Sequence, residues 1–248
     1  MVAPFARFAR HYDRFMTKFV DYPGWVSYIL KIFRRFKVVP RTILDVACGS
    51  GIPTVLLAQK GYRMIGVDRS KEMLAVLESK RGDLPIELVC ADIRDFKISE
   101  PVDAAISLYD SINYLLTEED LERCFGCVFK SLVGQGIFVF DMNTVYGLSE
   151  GWGTRTITRE TEEIVSIWQN SYDRQTRIST LHLTFWEKMG DGTLGGRYEE
   201  IHEERAYTVE EVRRALRAAG FSGTHFYHHG GFFPVGPLTV RMMVVAQR

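Results

Sequence analysis

The sequence has no excess of charge of either sign and few cysteines. Its 248 residues contain 31 Lys and Arg against 31 Asp and Glu, so the formal net charge is zero. Proteins that bind nucleic acid through phosphate contacts need a surplus of Lys and Arg. The balance therefore argues against a nucleic-acid partner and weakens binding to a membrane surface. Four cysteines are too few for a disulfide framework in a chain of this length.

Long apolar runs are also missing. No stretch approaches the roughly 18 apolar residues of a membrane span, and the first residues lack the uninterrupted apolar segment of a signal peptide. These absences predict a cytoplasmic protein without a membrane partner. Hydrophobic residues make up 46% and charged residues 25% of the chain, which is typical of a globular domain with a packed core. Intrinsic disorder is thereby excluded.

The N-terminal part predicts two amphipathic helices. Apolar residues from Phe5 to Val20 recur at helical spacing, with basic residues between them. A second helical pattern follows Asp21-Tyr22-Pro23-Gly24 and ends before Pro40. We expect residues 1–40 to form a helical cover over the rest of a single domain.

From Thr42 onwards, short apolar runs alternate with helical patterns. The predicted strands are 42–47, 62–67, 86–90, 102–108 and 136–141, and the predicted helices between them are 52–60, 70–81 and 118–132. This alternation indicates a parallel sheet with helices on both faces. The last strands, 221–228 and 238–246, are joined by a segment too short for a helical crossover. The prediction for residues 1–248 is an α/β fold with a doubly wound seven-stranded sheet and an antiparallel last strand.

Residues 150–207 interrupt this alternation. Strand patterns separated by turns occupy Thr154–Glu160, Glu163–Tyr172, Arg177–Lys188 and Arg197–Tyr207. They predict an antiparallel β insertion. Aromatic and His residues alternate along it at Trp168, His182, Trp186 and His202. This pattern fits either an ordinary sheet face or a lid over an acceptor site.

The strand-to-helix turn Asp45–Gly51 is the strongest functional signal. Its glycines allow the backbone to approach a ligand at the carboxyl edge of the sheet. Asp68 ends the next predicted strand, where a carboxylate accepts hydrogen bonds from ribose hydroxyls, and Asp92 ends the third. Acidic residues at three successive strand ends favour an adenosine that carries a cationic group, because they would repel a pyrophosphate.

A dinucleotide site is the main alternative at this turn. Gly49-x-Gly51-x-x-Thr54 departs from the G-x-G-x-x-G/A fingerprint, and Asp45 would face the phosphates. An NAD-dependent oxidoreductase is therefore the weaker interpretation.

Three motifs in order carry a family resemblance. Asp45-Val46-Ala47-Cys48-Gly49-Ser50-Gly51, Gly66-Val67-Asp68-Arg69-Ser70 and Ala91-Asp92-Ile93-Arg94-Asp95-Phe96 resemble the cofactor motifs of class I S-adenosylmethionine-dependent methyltransferases. The segment Asp103–Leu115 is similar to that of the small-molecule subgroup with glycine and aminosugar N-methyltransferases. The resemblance implies a Rossmann-like fold and methyl transfer from S-adenosylmethionine to nitrogen or oxygen of a small molecule, with S-adenosylhomocysteine as product. It does not identify the acceptor, and the protein could be a monomer or a homodimer. A catalytically silent protein that binds S-adenosylmethionine is the alternative that the resemblance leaves open.

The resemblance also implies roles for individual residues. Asp45 and the Gly49 backbone would face the methionine amino group, and Asp68 would hold the ribose. Met73 would pack near the adenine, and Asp92 and the backbone of Ile93 would contact the adenine edge. Leu108 would lie under the sulfonium. Tyr12 and Tyr22 would close over the methionine end. The implied cofactor site also includes Cys48, Gly51 and Arg69.

Methyl transfer needs alignment and water exclusion more than a covalent intermediate. A base is required only when the acceptor arrives protonated. Tyr109, Asp110 and Asn113 follow the fourth strand at the ligand edge and are the candidates for a catalytic role. We expect the acceptor between the N-terminal helices, this loop, the insertion and the loop that carries His228 and Phe232. No metal is predicted, because the pair of cysteines at 124 and 127 falls within a helix and no second ligand pair follows.

Overall fold

The computed structural model describes residues 7–248, which form both helices and strands. In chain order these are α1 (Ala9–Met16), α2 (Tyr22–Arg35), β1 (Thr42–Val46), α3 (Ile52–Ala58), β2 (Arg63–Asp68), α4 (Lys71–Arg81), β3 (Ile86–Cys90), β4 (Val102–Ser107), α5 (Glu118–Ser131), β5 (Leu132–Asn143), β6 (Thr156–Glu160), β7 (Ile164–Asp173), β8 (Ile178–Lys188), β9 (Leu194–Arg205), α6 (Val209–Ala219), β10 (Gly223–His228) and β11 (Arg241–Gln247). A short 3-10 helix occupies Ser111–Tyr114, and a π-helical turn occupies Gly147–Trp152. Neither of these two turns is predicted from the sequence.

Seven strands form the central sheet in the order β10-β11-β5-β4-β1-β2-β3. The strands β1 to β5 pair in parallel, whereas β11 is antiparallel to both β5 and β10. The predicted fold class is confirmed, and so is the terminal hairpin. Because β1 to β4 run in the same direction, their carboxyl ends meet at one edge of the sheet, where α/β proteins bind their ligands.

Capping residues set where the helices begin. The Ser70 hydroxyl accepts a hydrogen bond from the Met73 N–H at 3.2 Å, and Asp21 accepts one from the Gly24 N–H at 3.0 Å. At α6, Thr208 and Glu211 form a reciprocal capping box. The observed start of α4 lies within one residue of the predicted one. Helix α2 begins at Tyr22, inside the Asp21–Gly24 segment that precedes the predicted helix, because Asp21 caps it there.

Both faces of the central sheet are covered by apolar side chains. On one face, α5 and α6 pack against the sheet through residues such as Phe125, Phe138 and Leu216. On the other face, α2, α3 and α4 pack through residues such as Ile29 and Leu77. The doubly wound arrangement is therefore a consequence of strands that are apolar on both sides.

The insertion forms a separate four-stranded antiparallel sheet in the order β6-β7-β8-β9. Helix α1 lies against this sheet, since Phe8 and Phe15 are buried beside Phe185. The Phe15 ring stacks on Trp168 with centroids 5.9 Å apart. The N-terminal helices thus contact the insertion as well as the central domain.

Helix α1 is shorter than the predicted helix over 5–20. It ends at Met16, because Lys18 and Phe19 donate backbone hydrogen bonds three residues back and the last turn tightens. Phe5, part of the predicted apolar stripe, lies outside the described residues. No helix within 7–248 is long and apolar enough to cross a membrane.

Candidate functional site

A cavity extends from the carboxyl edge of the central sheet to the inner face of the insertion. On the sheet side it is lined by the turn after β1 and by the ends of β2 and β4. On the other side it is lined by residues from all four strands of the insertion, including Trp168, Leu181 and Glu204. The cavity therefore joins the predicted cofactor motifs to the predicted acceptor region.

The turn after β1 has a backbone conformation that favours glycine. Ala47, Gly49 and Gly51 all have positive φ values, of 59°, 54° and 73°. A Cβ at Gly51 would lie 2.5 Å from the Leu77 side chain, so a larger residue would require Leu77 to shift. A Cβ at Gly49 would have no neighbour within 4 Å, because Gly49 borders the cavity. The turn thus exposes its backbone to a ligand.

Asp68, at the end of β2, holds this turn in place. Its carboxylate accepts hydrogen bonds from the backbone N–H groups of Gly49 and Ser70, each at 2.8 Å. Burial raises the pKa of Asp68, although these backbone donors act in the opposite direction. The side chain also lines the cavity, so it can contact the turn and a ligand together.

Asp45, at the end of β1, is a buried carboxylate with a single neutral donor. It is 2% exposed and accepts a hydrogen bond from the Thr54 hydroxyl at 2.6 Å. Burial raises the pKa of Asp45 to about 7. A cationic group in the cavity would compensate this desolvation, which fits the amino group and sulfonium of S-adenosylmethionine.

Asp92, after β3, has a different environment. The Arg94 guanidinium donates hydrogen bonds to it at 2.9 and 2.7 Å and holds the pKa of Asp92 at about 2. Asp92 therefore stays ionised and oriented at the cavity wall. The sequence motif alone does not indicate this partner.

The structure brings all residues of the implied cofactor site to the same cavity. The lining includes Tyr12, Tyr22, Asp45, Cys48, Gly49, Gly51, Asp68, Arg69, Met73, Asp92, Ile93 and Leu108. Their shared location agrees with one binding site, while their individual roles stay predictions.

The loop after β4 is held by a buried carboxylate on β5. Tyr109 and Asp110 both have positive φ, at 68° and 56°. Asp141 accepts the backbone hydrogen bonds of both residues, at 2.6 and 3.0 Å, and pairs with Arg241. Tyr109 and Asp110 consequently line the cavity.

Asn113 lies outside the cavity lining, contrary to the expectation that it meets the acceptor. Its side-chain amide donates to the backbone carbonyls of Asn143 and Arg205 at 3.1 and 2.9 Å, and its Oδ1 accepts from the Asn143 N–H at 2.9 Å. The side chain connects the loop to β5 and β9, because both its amide nitrogen and its Oδ1 are hydrogen-bonded to backbone atoms of these strands. Asn113 is thus a positioning residue for the loop.

Other expected acceptor residues also lie elsewhere. His228 is exposed, and Phe232 packs against Tyr28 and Tyr227. On the insertion, Trp168 and His202 line the cavity, whereas His182 borders a separate groove. Because successive residues of a strand point to opposite faces, His182 lies on the face opposite to Leu181 and Leu183.

Several cavity residues were missed by the sequence analysis. Arg241, from the start of β11, and Glu204, from the end of β9, line the half of the cavity next to the insertion. Asn143, at the end of β5, connects Glu204 to Asp110. The alternation of Glu200, His202 and Glu204 was the available signal, because it places polar residues on one face of β9.

Within the described residues, no group of three or more His, Cys, Asp or Glu side chains is arranged to hold a metal ion. Cys124 lies on the buried face of α5, and Cys127, on the same helix, is partly buried.

Comparisons with known proteins agree with the fold. A family model described as a methyltransferase domain matches residues 43–136. The YqeM protein of Bacillus subtilis (strain 168), whose name assigns it to the methyltransferases, is 32% identical over 217 residues, covering 86% of this chain and 85% of YqeM. A dTDP-3-amino-3,6-dideoxy-alpha-D-glucopyranose N,N-dimethyltransferase of Streptomyces fradiae is 26% identical over 227 residues, covering 88% of this chain and 81% of the relative.

A solved structure covers almost the whole chain. The S-adenosylmethionine-dependent methyltransferase from Clostridium acetobutylicum ATCC 824 superposes with a TM-score of 0.86 at 28% identity, covering 98% of both chains. The NAD-dependent alternative receives no support from these similarities. The chain belongs to the S-adenosylmethionine-dependent methyltransferases, with their Rossmann-like fold and S-adenosylmethionine as methyl donor.

Proposed function

We propose that the protein transfers a methyl group to a nitrogen atom of a small-molecule acceptor. The cavity that joins the cofactor motifs to the inner face of the insertion is the observation that carries this proposal. Its acceptor half is lined mainly by aromatic and aliphatic side chains, such as Phe8, Trp168 and Leu183, with a few polar groups. Such a lining suits a small organic molecule better than a polymer.

The names of relatives support nitrogen as the methylated atom. The Streptomyces fradiae relative and a dTDP-3-amino-3,4,6-trideoxy-alpha-D-glucopyranose relative of Streptomyces venezuelae are both N,N-dimethyltransferases. The second is 24% identical over 212 residues and covers 84% of this chain and 87% of the relative. An amine acceptor is therefore the preferred class here.

The acidic strand ends would hold the cofactor. We assign Asp68 to the ribose hydroxyls, Asp45 to the cationic methionine end and Asp92 to the adenine edge. When bound, S-adenosylmethionine supplies an electrophilic methyl group on a sulfonium. The fit is supported by the desolvation of Asp45 and Asp68, since a cation nearby lowers the free-energy cost of burying a carboxylate.

The aromatic residues at the junction of the two halves would align the acceptor and exclude water. Tyr12 and Tyr22 come from the N-terminal helices, and the Tyr22 ring lies 6.2 Å from that of Tyr109. Burial raises the pKa of Tyr12 well above its usual value, so its hydroxyl stays neutral. Well-held geometry of this kind can contribute about 7 to 11 kcal/mol to a displacement reaction.

The proposal is tested by incubating the protein with S-adenosylmethionine labelled with carbon-13 in the methyl group and a small-molecule extract of cells. We expect a labelled product of low mass whose methyl carbon has the chemical shift of an N-methyl group. Asp68→Asn, which should bind the cofactor weakly, serves as the control for enzyme-dependent labelling. Label found on oxygen, on carbon or on macromolecules alone would contradict the proposal.

A further inference from the structure

A pair of carboxylates outside the cofactor motifs lines the acceptor half of the cavity. Glu204 comes from β9, and Asp110 follows β4. The Asn143 amide connects them, because its Nδ2 donates to Asp110 Oδ2 at 2.7 Å and to Glu204 Oε2 at 2.9 Å. The two carboxylates are thus held within reach of a single amide group.

This part of the wall carries more negative than positive charge. Arg241 pairs with Asp110 at 3.2 Å and also with Asp141. Within residues 7–248, no Lys or Arg forms an ion pair with Glu204, and the buried Oδ1 of Asn143 has no hydrogen-bond donor. Glu204 therefore lacks a cationic donor and Asn143 Oδ1 is a free acceptor, and an ammonium group could donate hydrogen bonds to both.

The electrostatics of Glu204 suit proton exchange with an amine. Burial, and then the neighbouring Asp110, raise the pKa of Glu204 to about 8. An α-amino group has a reference pKa of about 8, so a proton moves between the two groups at little cost. The other titratable or charged groups that face Glu204 are Asp110, Asp141, Arg241, Tyr114 and His202.

Resting on the proposed N-methylation, we propose that the acceptor enters as an ammonium cation and that Glu204 is the catalytic residue that removes its proton. Asp110, which pairs with Arg241, holds the cation, and the proton passes from the nitrogen to a Glu204 carboxylate oxygen. The freed lone pair on nitrogen forms the bond to the methyl carbon, while the carbon–sulfur bond breaks and its electron pair stays on sulfur. Charge and atoms balance, because the positive charge of the sulfonium ends on the methylated nitrogen.

The first test compares Glu204→Gln with Glu203→Gln in the extract assay. The Glu204→Gln side chain retains an oxygen for the Asn143 amide, and Glu203 is the exposed neighbour on the opposite face of β9. We expect Glu204→Gln to lower the rate about a hundredfold near neutral pH and to recover at alkaline pH, where the amine loses its proton unaided. Glu203→Gln should keep the wild-type pH profile.

A uniform loss across the pH range, with no alkaline recovery, would assign Glu204 a structural role and overturn the proposal. A labelled product in which the acceptor nitrogen is an amide, which carries no ammonium proton, would overturn it as well. If the wild type gives no labelled product, the proposed function fails.

The second test needs no turnover and separates these outcomes. Carboxyl-carbon NMR follows the titration of Glu204, assigned with Glu204→Gln, in protein saturated with S-adenosylhomocysteine. We expect methylammonium chloride to lower the pKa of Glu204 relative to sodium chloride at equal ionic strength, because a bound cation favours the carboxylate. An unchanged pKa would overturn the proposal even if the protein is an active N-methyltransferase.

Discussion

Arg241 and Asp141 form an ion pair across neighbouring strands, and the Asp141 side chain is 0% exposed. The strands that carry them, β11 and β5, are antiparallel, and the same guanidinium lies 3.2 Å from Asp110. One cation thus neutralises two carboxylates that shape the loop after β4. The pair connects the terminal hairpin of the fold to the acceptor half of the cavity.

Removing this cation should destabilise the protein strongly. We expect Arg241→Met to lower the free energy of unfolding by about 3 to 5 kcal/mol, because it leaves buried carboxylates without a partner. Urea unfolding measures the change. The matched control is Arg214→Met, which breaks an exposed pair with Glu118 and should cost no more than about 1 kcal/mol. Equal losses of unfolding free energy in the two variants would show that the buried Arg241 pair stabilises the protein no more than an exposed pair does.

The ribose assignment predicts a binding defect in Asp68→Asn. A neutral amide replaces a charged acceptor, so binding of S-adenosylhomocysteine should weaken by about 1.5 to 3 kcal/mol. Titration calorimetry measures the affinity, and circular dichroism checks the fold. Asp83→Asn, in the exposed loop before β3, is the matched control. Wild-type affinity in folded Asp68→Asn would show that Asp68 does not contact the ribose.

The raised pKa of Asp45 predicts how stability depends on pH. The carboxyl has a pKa of about 7 in the folded protein and about 3.9 when unfolded. At pH values between these two pKa values, Asp45 is protonated in the folded state and ionised in the unfolded state. Asp45 therefore lowers the free energy of unfolding progressively as the pH rises from about 4 to about 7.

Asp45→Asn should therefore stabilise the ligand-free protein near pH 8, by up to about 4 kcal/mol, and have little effect near pH 4. Urea unfolding at both pH values measures the difference from the wild type. The same variant should bind S-adenosylhomocysteine more weakly, since the cationic methionine end loses its carboxylate. A difference that does not change with pH would contradict the assigned pKa.

Substitutions in the insertion should reduce methyl transfer to the acceptor and leave cofactor binding unchanged. Trp168 lines the cavity and stacks on Phe15, whereas the adjacent Gln169 is exposed. We expect Trp168→Ala to reduce methyl transfer to the extract acceptor about tenfold, a loss of about 1.4 kcal/mol. Affinity for S-adenosylhomocysteine should be unchanged in calorimetry, and Gln169→Ala should resemble the wild type. Retained transfer in Trp168→Ala would show that this ring contributes only to packing.

The sequence predicts the elements that depend on local patterns. Apolar periodicity gives the order of strands and helices, because each signal lies within the element that it defines. The cofactor turn is equally local, since Asp45, Gly49 and Gly51 are close in the chain.

The acceptor half depends on contacts between distant parts of the chain. Arg241 meets Asp110 across 131 positions, and Glu204 meets Asn143 across 61. No window of sequence contains both partners of either contact. The same limit explains Asn113, whose position in the motif indicates chemistry while its partners on β5 and β9 give it a structural role.

The strand order of the insertion has a consequence for how the chain folds. Each of its strands pairs with the next one along the chain, so this sheet forms from local contacts alone, whereas β5 pairs with β11 far along the sequence. Asn113 connects Asn143, at the end of β5 before the insertion, to Arg205, near the end of the insertion. A meander that forms early brings its ends together, which shortens the effective loop between β5 and β11 and lowers its closure entropy. By this argument, the insertion that lines the cavity also favours the pairing of β5 with β11 in the central sheet.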